Sequence, residues 1–189
     1  MSELVFLLEE PSAQAMLEGL LPRLLPQGLP VRYIVFEGKS DLEAQLVRRL
    51  RYYRVPNARF VILRDKDVAD CRQIKGGLVE KCQQARRHNA LVRIACHELE
   101  SWYLADLAAV ERALEINGLA GKQDKSKYRT PDALVNPAQE LSKLTGQRYQ
   151  KVGGSRAIGP HLDLGNTRSR SFSVFVAGIR RLVAAAGGN

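Results

Sequence analysis

Cysteine is scarce in this sequence and does not occur in a paired pattern. The chain has three cysteines, Cys71, Cys82 and Cys96, and no CxxC spacing. An odd set of this kind argues against a disulfide framework and against a structural zinc site. We therefore expect reduced thiols that pack within the fold.

Long apolar runs are also missing. No stretch approaches the ~20 apolar residues that a membrane-spanning helix requires. No N-terminal stretch combines a basic flank, a long apolar core and a small-residue cleavage site. The sequence has no internal repeat and no low-complexity tract. These absences predict a cytoplasmic protein without a membrane partner.

Acidic residues are the minority charge. The 189 residues include 29 Lys and Arg against 20 Asp and Glu, which gives a net charge of +9. This excess favours an anionic partner such as nucleic acid. With 45% hydrophobic residues, the chain is long enough for one full core. We expect a single domain, with a core over residues 1–115 and a basic extension over residues 116–189 that packs on it.

Short apolar runs alternate with amphipathic segments along the chain. This alternation is typical of βαβ units and predicts an α/β fold with a mostly parallel four-stranded sheet flanked by helices. Pro22 predicts a kink or an early stop in the first helix. Later helices are predicted over residues 42–53, 78–88 and 98–114. A short helix is predicted to end near residue 144, and a terminal helix follows. A glycine- and arginine-containing stretch at residues 151–170 precedes the terminal helix and carries no predicted helix.

Acidic residues follow each of the four apolar runs. The carboxyl ends of parallel strands lie along one edge of a sheet, so these side chains can converge there. Carboxylate oxygens are the ligands of hard divalent cations such as Mg²⁺. The residues are Glu9 and Glu10 after the first run, Glu37 after the second, Asp65 and Asp67 after the third, and Glu98 and Glu100 after the fourth.

Asp65-Lys66-Asp67 is the sharpest of these motifs. Side chains at i and i+2 of an extended strand project to the same side, so the two carboxylates can share Mg²⁺ or Mn²⁺. Such an ion suits phosphate chemistry because it lowers the pKa of bound water and stabilises charge on the leaving group. The alternative is an ordinary solvated turn after a strand.

The glutamates have alternatives of their own. Compensation of a helix dipole, worth ~0.3 to 1 kcal/mol, would explain one of Glu9 and Glu10. Glu98 and Glu100 lie about 200° apart on a regular helix, so at least one of them is expected to be structural unless the helix begins late.

Basic residues near the C-terminus form a candidate phosphate-binding set. Glycines among them let backbone N–H groups and cations approach a phosphate backbone. The alternatives are a solvated loop and, for the histidine, a satisfied structural role. The predicted nucleic-acid contacts are Lys39, Arg156, Arg168 and Arg170, with His161 as a candidate proton shuttle.

The order of several short motifs resembles a known family. Glu9 at the end of the first strand followed by a later Asp65-x-Asp67 looks like the Toprim arrangement. The chain more closely resembles a bacterial Toprim-like family of unknown function, domain of unknown function 4276, over nearly its whole length. The motifs that carry this resemblance are Leu8-Glu9-Glu10-Pro11-Ser12, Glu37-Gly38-Lys39-Ser40-Asp41, Glu98-Leu99-Glu100-Ser101-Trp102 and Gly159-Pro160-His161-Leu162-Asp163.

The resemblance implies a metal-dependent nuclease-like site that acts on DNA or RNA. It also implies that the protein acts together with an ATPase partner in anti-phage defence or DNA repair. In Toprim enzymes the strand-one Glu is a general acid or base and two Asp residues hold magnesium, roles that map onto Glu9, Asp65 and Asp67. Glu10 replaces the glycine usual after that Glu, whereas Glu37 keeps a following glycine. The catalytic glutamate is therefore either Glu9 or Glu37.

Three functions follow from these residues. The leading one is a magnesium-dependent Toprim-like phosphodiesterase, with Glu98 or Glu100 on a second ion and with Arg156 and His161 on phosphate. The second is a non-catalytic adaptor that binds nucleic acid or an ATPase partner. The third, a toxin or a nucleotidyl-transfer enzyme, shares the metal chemistry and differs in substrate.

Overall fold

The computed structural model describes residues 2–66 and 70–187. Its strands are β1 (Leu4–Leu8), β2 (Val31–Val35), β3 (Arg59–Asp65) and β4 (Leu91–Ala95). Its helices are α1 (Pro11–Leu20), α2 (Lys39–Arg51), α3 (Cys71–Gln84), α4 (Glu100–Leu104), α5 (Leu107–Leu114), α6 (Ser126–Arg129), α7 (Pro137–Leu144), α8 (Lys151–Ile158) and α9 (Arg170–Gly187). Within the described ranges, no helix has both the length and the apolar character that crossing a membrane requires.

The four strands form one parallel sheet in the order β2-β1-β3-β4. Strand β1 is central, and its Leu8 lies opposite Val35 of β2 and Leu63 of β3. From β1 the chain passes to β2 on one side of β1 and then crosses to β3 on the other side. The carboxyl ends of β1 and β3 therefore flank a topological switch point, where open α/β sheets bind ligands. The predicted α/β class and parallel sheet are confirmed.

Both faces of the sheet are covered by helices. Leu4, Phe6 and Leu8 of β1 enter one buried cluster with side chains of α1, α4, α5, α8 and α9. Val5 and Leu7 enter a second cluster with side chains of α2 and α3. The alternation follows from the period of two in a strand, and it explains why β1 is apolar throughout.

Two predicted helices differ from the structure because of aspartate caps. Helix α3 begins at Cys71, ahead of the glycine pair, because Asp70 Oδ1 accepts the backbone N–H groups of Arg72 and Gln73. The single helix predicted over residues 98–114 is wrong, since α4 ends and α5 begins in its middle. Asp106 causes the break by capping α5, where its Oδ1 accepts the N–H of Ala109.

The stretch at residues 151–170 begins with helix α8, which the sequence analysis did not predict. Its glycines serve helix packing. A Cβ atom on Gly159 would overlap the carbonyl oxygen of Met16 in α1, and one on Gly154 would overlap the ring of Tyr149. Pro22 acts as predicted, since α1 ends at Leu20 and a 3₁₀ turn follows.

Candidate functional site

The candidate site lies at the switch point between β1 and β3. Glu10 follows Leu8 by two residues, and Asp65 follows Leu63 by two. Leu8 and Leu63 are register partners that point into the α1 and α8 side of the sheet. The period of two in a strand therefore places Asp65 on that same side, and Glu10 lies there as well because it contacts Lys151 of α8.

Three carboxylates form what we call the acidic cluster: Glu10, Asp65 and Glu100. Glu10 Oε1 accepts a hydrogen bond from Ser12 Oγ at 2.6 Å, and Glu10 Oε2 lies 2.6 Å from Lys151 Nζ. Asp65 is the last residue of β3 and is partly buried. The cluster therefore joins the ends of two strands to the N-terminal residues of two helices, α4 and α8.

Glu100 is the most buried member of the acidic cluster. It is the first residue of α4 and has 0% of its surface exposed. Its Oε1 accepts a hydrogen bond from the Tyr149 hydroxyl at 2.7 Å. Its Oε2 is buried and has no hydrogen-bond partner among the described residues. Buried polar atoms without a partner are rare and point to a bound group or a proton.

The charges of the cluster act on one another. Burial raises the pKa of Asp65 well above its usual value, and the negative charges of Glu100, Glu10 and Glu9 raise it further. Burial also raises the pKa of Glu100, which the hydrogen bond from Tyr149 opposes. A cation at this position would therefore relieve repulsion among carboxylates.

Lys151 already supplies one positive charge. Burial lowers the pKa of Lys151, but the hydrogen bond to Glu10 and the charges of Glu10, Glu100 and Asp65 outweigh it and leave that pKa raised. The ammonium group is therefore held protonated next to the carboxylates.

Glu9 is fixed to the backbone of β3. Its Oε2 accepts the N–H of Asp65 at 3.1 Å and lies 3.8 Å from Arg64 Nε. Arg64 is buried and pairs with Glu43 of α2. Helix α2 thus helps to position Glu9 directly beside the acidic cluster.

The acidic cluster fits Mg²⁺ held by few protein ligands. In the part of the chain that the structure describes, no three His, Cys, Asp or Glu side chains are close enough to hold one metal ion. Mg²⁺ usually keeps several waters and binds through one or two carboxylates, so it does not need a closed cage. The partnerless Glu100 Oε2 and the raised pKa of Asp65 suit such an ion. Asp67, predicted as a ligand, lies outside the described residues.

Two other predicted acidic residues have different surroundings. Glu37 follows β2, which is separated from β3 by β1, about 10 Å away at the usual strand spacing. It is exposed, and its backbone N–H donates to Asp41 Oδ2. Glu98 Oε2 accepts the N–H of Ala138 at 2.8 Å, at the start of α7. Glu98 therefore caps a helix, whereas Glu100 belongs to the acidic cluster.

The predicted nucleic-acid contacts are spread over several elements. All five side chains are exposed. Within the described ranges, Arg156, His161, Arg168 and Arg170 make no hydrogen bond to the acidic cluster. The His161 carbonyl accepts from Arg112 Nη2 at 3.3 Å. The residues are Lys39 at the start of α2, Arg156 in α8, His161 in a 3₁₀ turn, Arg168 before α9, and Arg170 at its first position.

Tyr149 was missed as a site residue. It contacts Glu100 across 49 residues of sequence, and its neighbours in the chain show no strand end or known motif. Lys151 is the first residue of the stretch at residues 151–170, and it is not among the predicted site residues. The contact with Glu10 spans 141 residues, so no local pattern could have indicated it.

Two solved structures are similar to the chain over nearly all of its length. One is the C-terminal region of the Burkholderia pseudomallei OLD protein, with 16% identity and a TM-score of 0.56, covering 97% of this chain and 99% of that one. The other is the C-terminal region of the Xanthomonas campestris pv. campestris OLD protein, with 16% identity and a TM-score of 0.54, covering 100% of this chain and 99% of that one. These likenesses show the fold, which is the predicted Toprim-like fold.

Sequence comparison with known proteins gives two results. No curated protein matches this chain. The family model described as "Domain of unknown function (DUF4276)" matches residues 8–180, as the sequence resemblance predicted. Because this match covers most of the 189 residues, the chain belongs to the DUF4276 family.

Proposed function

We propose that this chain is a Mg²⁺- or Mn²⁺-dependent phosphodiesterase that acts on nucleic acid. The observation that carries the proposal is the acidic cluster at the switch point, with a buried Glu100 oxygen that lacks a partner among the described residues. The net charge of +9 supports an anionic substrate. The similarity in fold to the OLD C-terminal regions agrees with this assignment.

The residues would divide the work as follows. Asp65 and Glu100 would hold the divalent ion, together with Asp67 two residues further along the chain. When bound, the ion would polarise the phosphate and lower the pKa of its water. We assign the general acid or base to Glu9 in preference to Glu37, because the Glu9 carboxylate lies at the backbone of Asp65. The ammonium of Lys151 would stabilise negative charge that develops on a phosphate oxygen.

Metal-dependent cleavage of DNA and RNA by the purified protein is the direct test. We expect Asp65→Asn and Glu100→Gln to lower the rate about a hundredfold or more, while both variants stay folded by circular dichroism. Glu98→Gln is the matched control, because a glutamine oxygen can still accept the N–H of Ala138. Equal activity in Asp65→Asn would indicate a contaminating nuclease and would remove the proposal.

A second candidate is a non-catalytic adaptor that binds nucleic acid or a partner protein. The ion pair of Lys151 with Glu10 favours it, because a built-in cation can neutralise the cluster without metal. Calorimetric titration with Mg²⁺ and Mn²⁺ separates the candidates. The phosphodiesterase should show saturable binding that Asp65→Asn removes, and the adaptor should show none.

A partner protein is part of the proposal. Both similar structures are C-terminal regions of OLD proteins, so in those proteins the matching part is joined to further sequence. The family resemblance implies an ATPase in that role, in anti-phage defence or DNA repair. Co-purification of this chain with an ATPase encoded beside it would support the assignment, and a stimulated cleavage rate would show that the pair works together.

A further inference from the structure

A basic groove runs along the open edge of β4. Strand β4 is last in the sheet order and pairs with β3 alone, so its other edge has no strand neighbour in the described sheet. Helices α3 and α9 flank this edge on the two faces of the sheet. Two depressions of about 540 and 520 Å³ lie along it, and Arg93 of β4 lines both. We call them together the edge groove.

The edge groove has a strong excess of positive charge. Among the described residues of its lining, Asp132 is the one carboxylate, and it accepts hydrogen bonds from Ser169 Oγ at 2.7 Å and the N–H of Ser171 at 2.8 Å. Among the described residues, none of the groove cations forms an ion pair. These cations are Arg59, Arg72, Lys75, Arg93, Arg170 and Arg181.

Arg93 is held in place at the centre of the groove. It is half-buried, and its guanidinium donates to the carbonyl oxygens of Val174 at 3.2 Å and Val92 at 2.8 Å. A Cβ atom on Gly178 would lie 2.6 Å from Arg93 Nη2, so the glycine makes room for this group against α9. Burial lowers the pKa of Arg93, and the charge of Arg181 lowers it further. A bound anion would stabilise the charged guanidinium of Arg93 and so oppose both effects on its pKa.

One end of the groove lies close to the acidic cluster. Cys96 lines that end, and the preceding Ala95 is the register partner of Asp65. Adjacent strands are about 4.8 Å apart. The length of β4 from Leu91 to Cys96 is about 17 Å, which equals the axial rise of about five base pairs of a DNA duplex. A nucleic acid that follows the groove would therefore arrive beside Asp65.

We propose that the edge groove binds the phosphate backbone of double-stranded nucleic acid and directs it to the acidic cluster. This inference takes its substrate class from the proposed function. Within the described part of the lining, no side chain is aromatic, so the groove has no platform on which unpaired bases would stack. A duplex keeps its bases stacked and presents its phosphates outward, which suits a lining of cations.

Salt-dependent binding of a fluorescent DNA duplex in EDTA tests the groove apart from catalysis. The groove variant is Lys75→Gln/Arg93→Gln/Arg170→Gln. Three lost phosphate contacts should make the slope of log K against log salt shallower by about 2.7, since each contact contributes about 0.9. The control Arg48→Gln/Arg49→Gln/Arg54→Gln removes the same charge on and just after α2, and should leave the slope nearly unchanged.

Several outcomes would overturn the groove proposal. An equal change of slope in both triple variants would show a general charge effect, and tighter binding of single-stranded than of duplex DNA would exclude the duplex. If the groove variant fails to fold, Lys75→Gln/Arg170→Gln keeps the half-buried Arg93 and should still make the slope shallower by about 1.8. An unchanged slope in that double variant would remove the proposal.

The two proposals can fail separately. If the wild-type protein cleaves nucleic acid and the groove variants bind duplex normally, the phosphodiesterase proposal is supported and the groove proposal is wrong. If the groove variants lose binding while the wild-type protein shows no metal-dependent cleavage, the groove proposal is supported and the phosphodiesterase proposal is wrong.

Discussion

Glu98 and Glu100 show that the local surroundings of a glutamate determine its role. Both lie at the end of the same strand, yet Glu98 accepts a backbone N–H of α7 and Glu100 is fully buried in the acidic cluster. The hydroxyl of Tyr149 makes the burial tolerable, because a buried carboxylate without a donor is costly. Tyr149 is therefore a positioning residue for the proposed metal site.

Tyr149→Phe should weaken metal binding while keeping the packing of the ring against Gly154. Loss of the hydroxyl removes the hydrogen bond that lowers the pKa of Glu100, so the carboxylate ionises at higher pH. A hydrogen bond to a charged group is worth ~1.5 to 3 kcal/mol, so the Mg²⁺ affinity near pH 7 should fall about tenfold or more. Calorimetry from pH 6 to pH 8 should show recovery of affinity at the higher pH.

Tyr128→Phe is the control for that measurement. It also removes a hydroxyl that donates to a glutamate, since Tyr128 Oη lies 2.7 Å from Glu140 Oε1. We expect it to leave Mg²⁺ affinity unchanged. The assignment of Tyr149 would be wrong if both variants lost affinity equally or if neither lost any.

Helix α8 connects the C-terminal half of the chain to the acidic cluster. Its first residue, Lys151, contacts Glu10, and its last residue, Ile158, is buried in the core cluster that includes α1. Close contact between α1 and the end of α8 depends on Gly159, where a side chain would overlap the Met16 carbonyl. The packing of the two helices therefore places Lys151 at the carboxylates.

Gly159→Ala should destabilise the protein by about 1 to 3 kcal/mol, the usual cost of overpacking a close contact. Gly153→Ala in the same region is the control. A Cβ atom on Gly153 meets nothing within 4 Å, so alanine there should stabilise helix α8 by about 0.5 to 1 kcal/mol. Urea unfolding of both variants measures the difference. Equal stability of the two variants would contradict this account of the packing.

At the scale of the whole molecule, the acidic cluster links folding stability to pH. The folded protein holds protons on Asp65 and Glu100 at pH values where the unfolded chain has released them, because the pKa values of both are raised on folding. Stability contributed in this way is present at low pH and is lost as pH rises through the raised values. Divalent metal should oppose that loss, because it favours the ionised carboxylates.

We expect the contribution of the acidic cluster to the free energy of unfolding of the metal-free protein to fall as pH rises above about 4, the ordinary range of aspartate. Asp65→Asn should be more stable than wild type at pH 7.5, by on the order of 1 kcal/mol, and should lose the advantage near pH 4. Mg²⁺ at a hundred times its Kd should stabilise the wild-type protein by about 2.7 kcal/mol and Asp65→Asn by less.

Urea unfolding in EDTA and in Mg²⁺ across that pH range checks the linkage. Asp124→Asn is the control, because Asp124 is exposed and lies in a turn shortly before α6. It should follow the wild-type curve at every pH. A difference in stability between Asp65→Asn and wild type that stays flat from pH 4 to pH 7.5 would show that Asp65 does not couple pH to folding.

The sequence predicted the elements whose signals are local. The apolar runs that became β1 to β4 and the proline that ends α1 depend on periodicity and on backbone chemistry within a few residues. Helix α8 was missed because its packing contact on α1 is distant in sequence, whereas the break between α4 and α5 was missed although the cap that starts α5 is local. Asp106 caps α5 with one oxygen and accepts the N–H of Asp163 with the other, and Gly159 packs on Met16.

The same distinction holds for the candidate site. That carboxylates stand at the ends of parallel strands could be predicted, because strand direction brings all carboxyl ends to one edge. Which of them meet could not, because it depends on strand order and on helix packing. The order β2-β1-β3-β4 places Glu9 beside Asp65 and Glu37 a strand further away.

By itself, the sequence determined the α/β class, the basic charge and the kinds of side chain available at the sheet edge, since these depend on composition and short-range pattern. The tertiary structure alone decided that Glu100 is buried against Tyr149, that Lys151 neutralises Glu10, and that cations line the open edge of β4. The physical reason is that side chains distant in sequence interact only after the helices pack on the sheet, and no local pattern encodes that packing.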